Sequence, residues 1–146
     1  NLVTFNIKMP ASNWYYKICS DGYCTSVYTV SADTENFSFS IWGDSQSGWY
    51  NFQKHMQHIG QQPDAFTVGV GDLVGNGCEE EEWRTFAGLL STAAANCPAY
   101  LVAGNHDYDG SYSDLVPRFY HQYASPAGKP YFMWTYANCA FLALDP

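Results

Sequence analysis

The chain has 146 residues, of which 47% are hydrophobic and 18% aromatic, enough for one compact domain with a core of its own and too few for two. Its formal charge of −8 comes from fourteen acidic against six basic side chains; nucleic-acid binders carry a clustered basic face, so no nucleic-acid binding is expected. No run approaches the ~20 consecutive apolar residues of a membrane span, and no basic-then-apolar leader opens the chain, which begins at Asn1 rather than Met and so points to processing or trimming.

Residues 1–35 hold short strand-like runs, many Tyr, Ser and Thr, and no helical periodicity, as in the closing part of a β-sandwich. Two of these runs, Trp14 to Ile18 and Val27 to Val30, flank the turn-forming Ser20-Asp21-Gly22-Tyr23, and Cys19 and Cys24 stand at either side of it, placed for a disulfide. Asn36-Phe37-Ser38 is an acceptor sequon for N-glycosylation at Asn36. Five cysteines beside few lysines favour an oxidising compartment, so a secreted or extracytoplasmic protein is expected.

From residue 36 to 146 strand and helix patterns alternate, as in an α/β domain. Phe37 to Trp42 reads as a buried strand. Trp49, Phe52, Met56 and Ile59 recur at helical spacing, which predicts a helix over Ser47 to Gly60. Ala65 to Val70 is the next strand. The acidic run Glu79 to Glu82 suits the first turn of a second helix, where carboxylates meet the positive end of the macrodipole, and Trp83, Phe86, Ala87 and Leu90 form its apolar stripe. Cys78 and Cys97 bracket this helix and form a second candidate disulfide, leaving Cys139 odd. Ala99 to Val102 is the third strand. Ser111 to Gly128 is turn-rich, and Tyr131 to Tyr136 and Cys139 to Leu144 read as antiparallel strands joined at Ala137-Asn138.

Each of the three strands predicted to run parallel ends in glycine followed by polar residues: Gly43-Asp44-Ser45-Gln46, Gly71-Asp72-Leu73-Val74-Gly75-Asn76-Gly77 and Gly104-Asn105-His106-Asp107. Loops at the carboxyl ends of parallel strands share one crevice, so residues some thirty positions apart can converge there. An aspartate in one such loop alone is as well explained as a helix cap or turn residue. Three loops built alike point instead to divalent metal ions, which take carboxylate, amide and imidazole donors.

These loops resemble the first three motifs of the calcineurin-like metallophosphoesterases, and the aromatic-rich setting is similar to the purple acid phosphatase branch. The resemblance covers roughly residues 37 to 146, with Gly104-Asn105-His106-Asp107 its most diagnostic piece. It implies an N-terminal half of the family's αββα sandwich, a βαβαβ unit plus antiparallel strands. Residues 1–35 then resemble the end of the fibronectin-III-like sandwich domain that purple acid phosphatases carry before the catalytic one. It also implies two divalent metal ions of Fe, Zn, Mn or Mg type in the complete enzyme, and hydrolysis of phosphate mono- or diesters by a water that the two metals activate. Position by position, Asp44 resembles the first-metal carboxylate, Asp72 the carboxylate bridging both metals, and Asn105 the amide ligand of the second. His106 resembles the histidine beside the phosphate that stabilises or protonates the departing oxygen.

Two positions depart from the family pattern. Gln46 stands where many members have a histidine ligand, a weaker donor for the same metal. Gly75 stands where purple enzymes have a tyrosine ligand, and where the serine/threonine phosphatases have an acidic partner for the histidine of the third motif. Neither the purple colour nor that acid–histidine relay is therefore expected. The family's three later histidine ligands have no counterpart here, because His55, His58 and His121 follow no strand end. The chain alone is thus expected to bind metal weakly or not at all, and to need a C-terminal half or a second chain packed over residues 130–146. Trp42, Trp49, Tyr108 and Tyr112 are candidates for stacking on a leaving group, with core packing the simpler role for the tryptophans. The alternative to a hydrolase is a structural or assembly module that keeps the scaffold without catalysis.

Overall fold

The computed structural model describes residues 12–109, 116–125 and 129–144. The aromatic and β-branched run after residue 36 forms β5 (Phe39–Trp42), which is followed by α1 (Trp49–Ile59), β6 (Phe66–Val70), α2 (Glu80–Ala94) and β7 (Ala99–Val102). Strands β5, β6 and β7 lie side by side in that order and are parallel throughout. Two right-handed crossovers running the same way across a sheet put both helices on one face. There α1 and α2 meet through Phe52 and Phe86, whose rings stack at 5.4 Å. Met56, Trp83, Phe86 and Ala93 in this layer are wholly buried, and Trp42 packs against them from the sheet.

Strict alternation along the strands sends the other side chains to the opposite face. Phe66, Val68 and Tyr100 point there and are covered by a hairpin of β8 (Phe132–Tyr136) and β9 (Cys139–Ala143). The hairpin is antiparallel, with Trp134 opposite Phe141 and Tyr136 opposite Cys139, and it turns at Ala137, whose φ is 49°. Tyr100 stacks on Trp134 at 4.1 Å and Trp134 on Phe141 at 5.0 Å. The result is a helical layer, a parallel sheet and the start of a second sheet, in agreement with the expected N-terminal half of a calcineurin-like sandwich.

The N-terminal segment forms a two-stranded ribbon, β1 (Trp14–Tyr16) with β4 (Tyr28–Val30), and between them a small hairpin of β2 (Cys19–Ser20) and β3 (Tyr23–Cys24). Cys19 and Cys24 are directly opposed, with Cα atoms 4.1 Å apart, and are joined by a disulfide. The ribbon leans on the C-terminal end of α2: Tyr16 Oη donates to Ala95 O at 2.8 Å and Thr29 N–H to Asn96 Oδ1 at 3.0 Å.

Three expectations need correction. β5 is not buried: it is an edge strand in which exposed and half-buried residues alternate, with Ile41 61% exposed. Cys78 and Cys97 are free thiols. They lie beyond opposite ends of the fifteen-residue α2, which at 1.5 Å per residue separates them by about 22 Å, against the roughly 7 Å that a bridge allows between Cα atoms. The stretch expected to be irregular contains α3 (Val116–Tyr123), so His121 is helical. Tyr120 is fully buried and donates from its hydroxyl to Leu101 O at 2.8 Å, which ties α3 beneath β7.

Burial pushes the Cys97 thiol up to about 11, with Asp64 nearby acting in the same direction, so it carries almost no thiolate near neutral pH. Under native, non-reducing conditions, alkylation followed by mass spectrometry should label exposed Cys139 readily, Cys97 only after unfolding, and Cys19 and Cys24 only after reduction. Rapid labelling of Cys97 in the folded protein would contradict its placement.

A crevice at the carboxyl ends of the parallel strands

The loops after β5, β6 and β7 leave the same edge of the sheet and are bonded to one another. Asp44 N–H donates to Gly71 O at 3.2 Å, Gln46 N–H to Asp72 O at 3.3 Å, and the buried Ser45 hydroxyl to Leu73 O at 2.9 Å. Loop two is joined to loop three by Asp72 Oδ1, which accepts the His106 N–H at 3.0 Å. That approach leaves no space for a side chain at Gly104, where a Cβ would collide with the main chain and carboxylate of Asp72, and Gly71 takes a φ of +101° against the Gly104 backbone.

Asp44, Asp72 and Asn105 line one cavity of about 620 Å³, together with Val70, Tyr108 and Asp109. Both aspartates have φ of 51°, the left-handed region that L residues occupy only when their surroundings enforce it. Gln46 lies behind Asp72. Two hydrogen bonds, to Asp72 O at 3.3 Å and Val74 O at 3.2 Å, assign its amide nitrogen. They outweigh the single marginal 3.5 Å contact that the opposite orientation makes with Asp72 Oδ2. So assigned, the amide oxygen faces the Asp72 carboxylate, an acceptor against an acceptor.

The ring of His106 is not part of the cavity wall. It lies beside loop two, with Nδ1 3.3 Å from Gly75 O and 2.8 Å from Asp109 Oδ2. Of the stacking candidates, Trp42 and Trp49 pack against the core, and the Trp42 indole N–H donates to Thr67 Oγ1 at 2.8 Å. Tyr108 borders the cavity, and Tyr112 lies outside the described residues. His55 and His58 are exposed on α1, away from the crevice. Among the described residues, no three His, Cys, Asp or Glu side chains converge as a metal cluster.

Sequence reasoning passed over two residues that build the crevice. Asp107, the last residue of the third motif, is fully buried. Its Oδ1 accepts the N–H groups of Leu73 and Val74 at 2.9 and 3.0 Å, and its Oδ2 accepts that of Gly104 at 2.8 Å. Burial pushes its carboxyl above the ordinary range against the pull of those three donors, and nearby Asp72 adds to the rise. Glu82, in the first turn of α2, accepts from Gly75 N–H at 2.6 Å and Asn76 N–H at 3.3 Å. Only spatial proximity could have revealed either, since each acts on a loop distant in sequence.

The sequence model of the calcineurin-like phosphoesterases matches residues 37–144. The chain belongs to this family. No curated protein sequence matches it at a significant level. Among solved structures, this chain is similar to PhoD, with a TM-score of 0.67 at 13% identity over 93% of its own length and 37% of that chain. It is similar also to the purple acid phosphatase PPD1 from seeds of yellow lupin, Lupinus luteus, with a TM-score of 0.68 at 16% identity over 92% of its own length and 30% of that chain. At these identities the likeness concerns the fold. The chain spans about a third of the length of these neighbours.

Replacing Asp107 by alanine strands two buried backbone N–H groups and a half-buried third, each buried one costing on the order of 1–3 kcal/mol if nothing else meets it. Urea denaturation of Asp107→Ala should show a loss of at least about 2 kcal/mol. A variant as stable as the wild type would show that the loops hold together without this carboxylate.

Proposed function

We propose that these residues form the first half of a metal-dependent centre that hydrolyses phosphate mono- or diesters. The observation carrying this reading is the pair Asp44 and Asp72. Both are held at φ of 51° at the ends of neighbouring parallel strands, and both line one cavity with Asn105. Asp44, Asp72, Asn105 and the Gln46 amide oxygen fit one side of a divalent-metal site in donor chemistry, and Asp72 would be the carboxylate shared between two ions. Bound there, two such ions would activate a water and neutralise the phosphoryl oxygens during displacement. The residues of the chain would orient the ester in the cavity, while His106 serves the departing oxygen from the loop beside it.

Further donors would come from outside these residues. The outer face of the hairpin supports this, because Met133 and Leu142 are cross-strand neighbours, 67% and 66% exposed, with Leu144 beyond them 64% exposed. Ile41 and Val70, on the face of the parallel sheet that the hairpin only partly covers, are 61% and 54% exposed. Apolar surface of this extent calls for a covering layer, either further sequence of the same protein or a second chain. The Cys19–Cys24 bridge and the exposed Asn36 sequon support an extracytoplasmic location. Gln46, in a position suited to a stronger imidazole ligand, favours a second reading in which the scaffold serves assembly without catalysis.

Metal content and hydrolysis of p-nitrophenyl phosphate and its diester, measured on the full-length protein, separate the two readings. Asp72→Ala should remove metal and activity together. His106→Ala should retain the metal and slow turnover about 10²- to 10⁴-fold, the usual contribution of a general acid. Equal loss of metal in both variants would make His106 a ligand, and a metal-free, inactive wild type would favour the assembly role.

A further inference from the structure

At the amino ends of the parallel strands, opposite the crevice, lies a second hollow of about 390 Å³, within the roughly 300–1,000 Å³ range of small-molecule sites. Its walls come from β4 and the segment after it, the ends of α1 and α2, the approach to β6, and Tyr136 of β8. Asp64 is the one charged side chain among the described residues that line it, and both its oxygens are taken by the hydroxyls of Ser38 and Ser40. The other polar lining is hydroxyl and amide, from Thr29, Ser31, Thr34, Gln62 and Asn96. A wall of this kind offers donors and acceptors together and no cation, which suits a neutral polyhydroxyl ligand such as a sugar rather than a phosphate.

Asn36 of the Asn36-Phe37-Ser38 sequon borders this hollow and is exposed. The residues around it pin the backbone. Phe37 packs against Tyr136 at 4.7 Å and Phe66 at 6.0 Å, and the Ser38 hydroxyl donates to Asp64 Oδ1 at 2.7 Å. Thr34 Oγ1 donates to Asn36 O at 2.8 Å. The Asn36 carboxamide itself has no hydrogen-bond partner among the described residues. A fixed main chain thus presents a free amide at the mouth of a hydroxyl-lined hollow.

We propose that Asn36 carries an N-linked glycan whose first sugar occupies this hollow and ties the N-terminal ribbon to the α/β layer. The inference rests on the extracytoplasmic reading, since the modification belongs to secreted chains. In the attachment, Asn36 Nδ2 bonds to the anomeric carbon of a lipid-linked oligosaccharide. The bond from that carbon to the lipid diphosphate oxygen breaks with its electron pair going to oxygen, and Nδ2 gives up a proton. The covalent tether keeps the sugar at high effective concentration, so its seating avoids the cost that a free ligand meets on binding. On the hairpin side this junction is held by two long hydrogen bonds, from Tyr136 Oη to Ala32 O and from Ala137 N–H to Asp33 Oδ2, both at 3.4 Å. A sugar bonded to both walls reinforces that seam. Asp64 precedes β6 and Val70 ends it, a rise of about 20 Å at ~3.3 Å per residue, so the glycan leaves the crevice open.

The test begins with the full-length protein from its own source, in which mass spectrometry of its peptides should find N-acetylglucosamine on Asn36. The same protein, secreted from a glycosylating host, then tests the seat. Trimming the glycan to its first sugar with an endoglycosidase should leave the melting temperature, and the hydrogen exchange of residues 29–36 and 60–65, as in the intact glycoprotein. Asn36→Gln should melt about 2–4 °C lower, the loss of about one hydrogen bond in a domain of this size, and both segments should exchange faster. Ser38→Thr keeps the sequon and the hydroxyl that meets Asp64 and should match the wild type, whereas Ser38→Ala would remove both at once. A glycosylated Asn36 whose single-sugar form melts and exchanges like Asn36→Gln overturns the seat. An extracytoplasmic protein with a bare Asn36 overturns the modification alone. A protein found only in the cytoplasm overturns the extracytoplasmic reading and the inference with it.

Discussion

The crevice depends on one buried carboxylate. Three parallel strands can deliver their loops to the same edge of a sheet, but glycine-rich loops have no ladder to hold them once they leave it. Asp107 supplies the missing constraint, because its two oxygens accept N–H groups from Leu73 and Val74 in one loop and Gly104 in the next. Backbone donors that would otherwise be buried without a partner are satisfied by a side chain, so the loops keep an irregular course without unpaired polar groups. Glu82 does the same at the far end of loop two, where it receives Gly75 and Asn76. The acidic start of α2 thus serves both the helix macrodipole and the loop before it.

Held in this way, the loops can sustain strain where it is useful. A non-glycine residue in the left-handed region costs on the order of 1–3 kcal/mol, and Asp44 and Asp72 both sit there, with φ of 51°. Hydrogen bonds from Asp44 N–H, Gln46 N–H and the Ser45 hydroxyl to the second loop leave them little alternative. The stability that tolerates this comes from the layer below, where Phe52, Met56, Trp83 and Phe86 are packed without solvent contact of any size. Rigid core, clamped loop and strained aspartate form one chain of dependence from hydrophobic burial to site geometry.

The opposite face has a different character. Tyr100, Trp134 and Phe141 stack between the parallel sheet and the hairpin, and Phe66 meets Trp134 and Phe141 edge-on. The hairpin's own outer face, Met133 and Leu142, is apolar and open to solvent. A hairpin hydrophobic on both faces is the pattern of an inner layer.

The alternation of strand and helix, the helical spacing of Phe52, Met56 and Ile59, the polar residues after each strand and the Cys19–Cys24 hairpin were legible in the sequence, because each is written within one periodic segment or one turn. The hidden features all involve a second segment. α3 was masked by its turn-like surroundings, and its place is decided by Tyr120 reaching Leu101 beneath the sheet. Cys78 and Cys97 looked paired because they bracket a helix, and the length of that rigid helix keeps them apart. Asp107 read only as the closing residue of the third motif, and Asp109 carried no signal of its own. Short-range patterning by itself determined which elements form and which chemistry their ends can offer. Only the tertiary structure decided that one aspartate clamps the loops and the other meets the histidine, because hydrogen-bond partners depend on distance in space rather than along the chain.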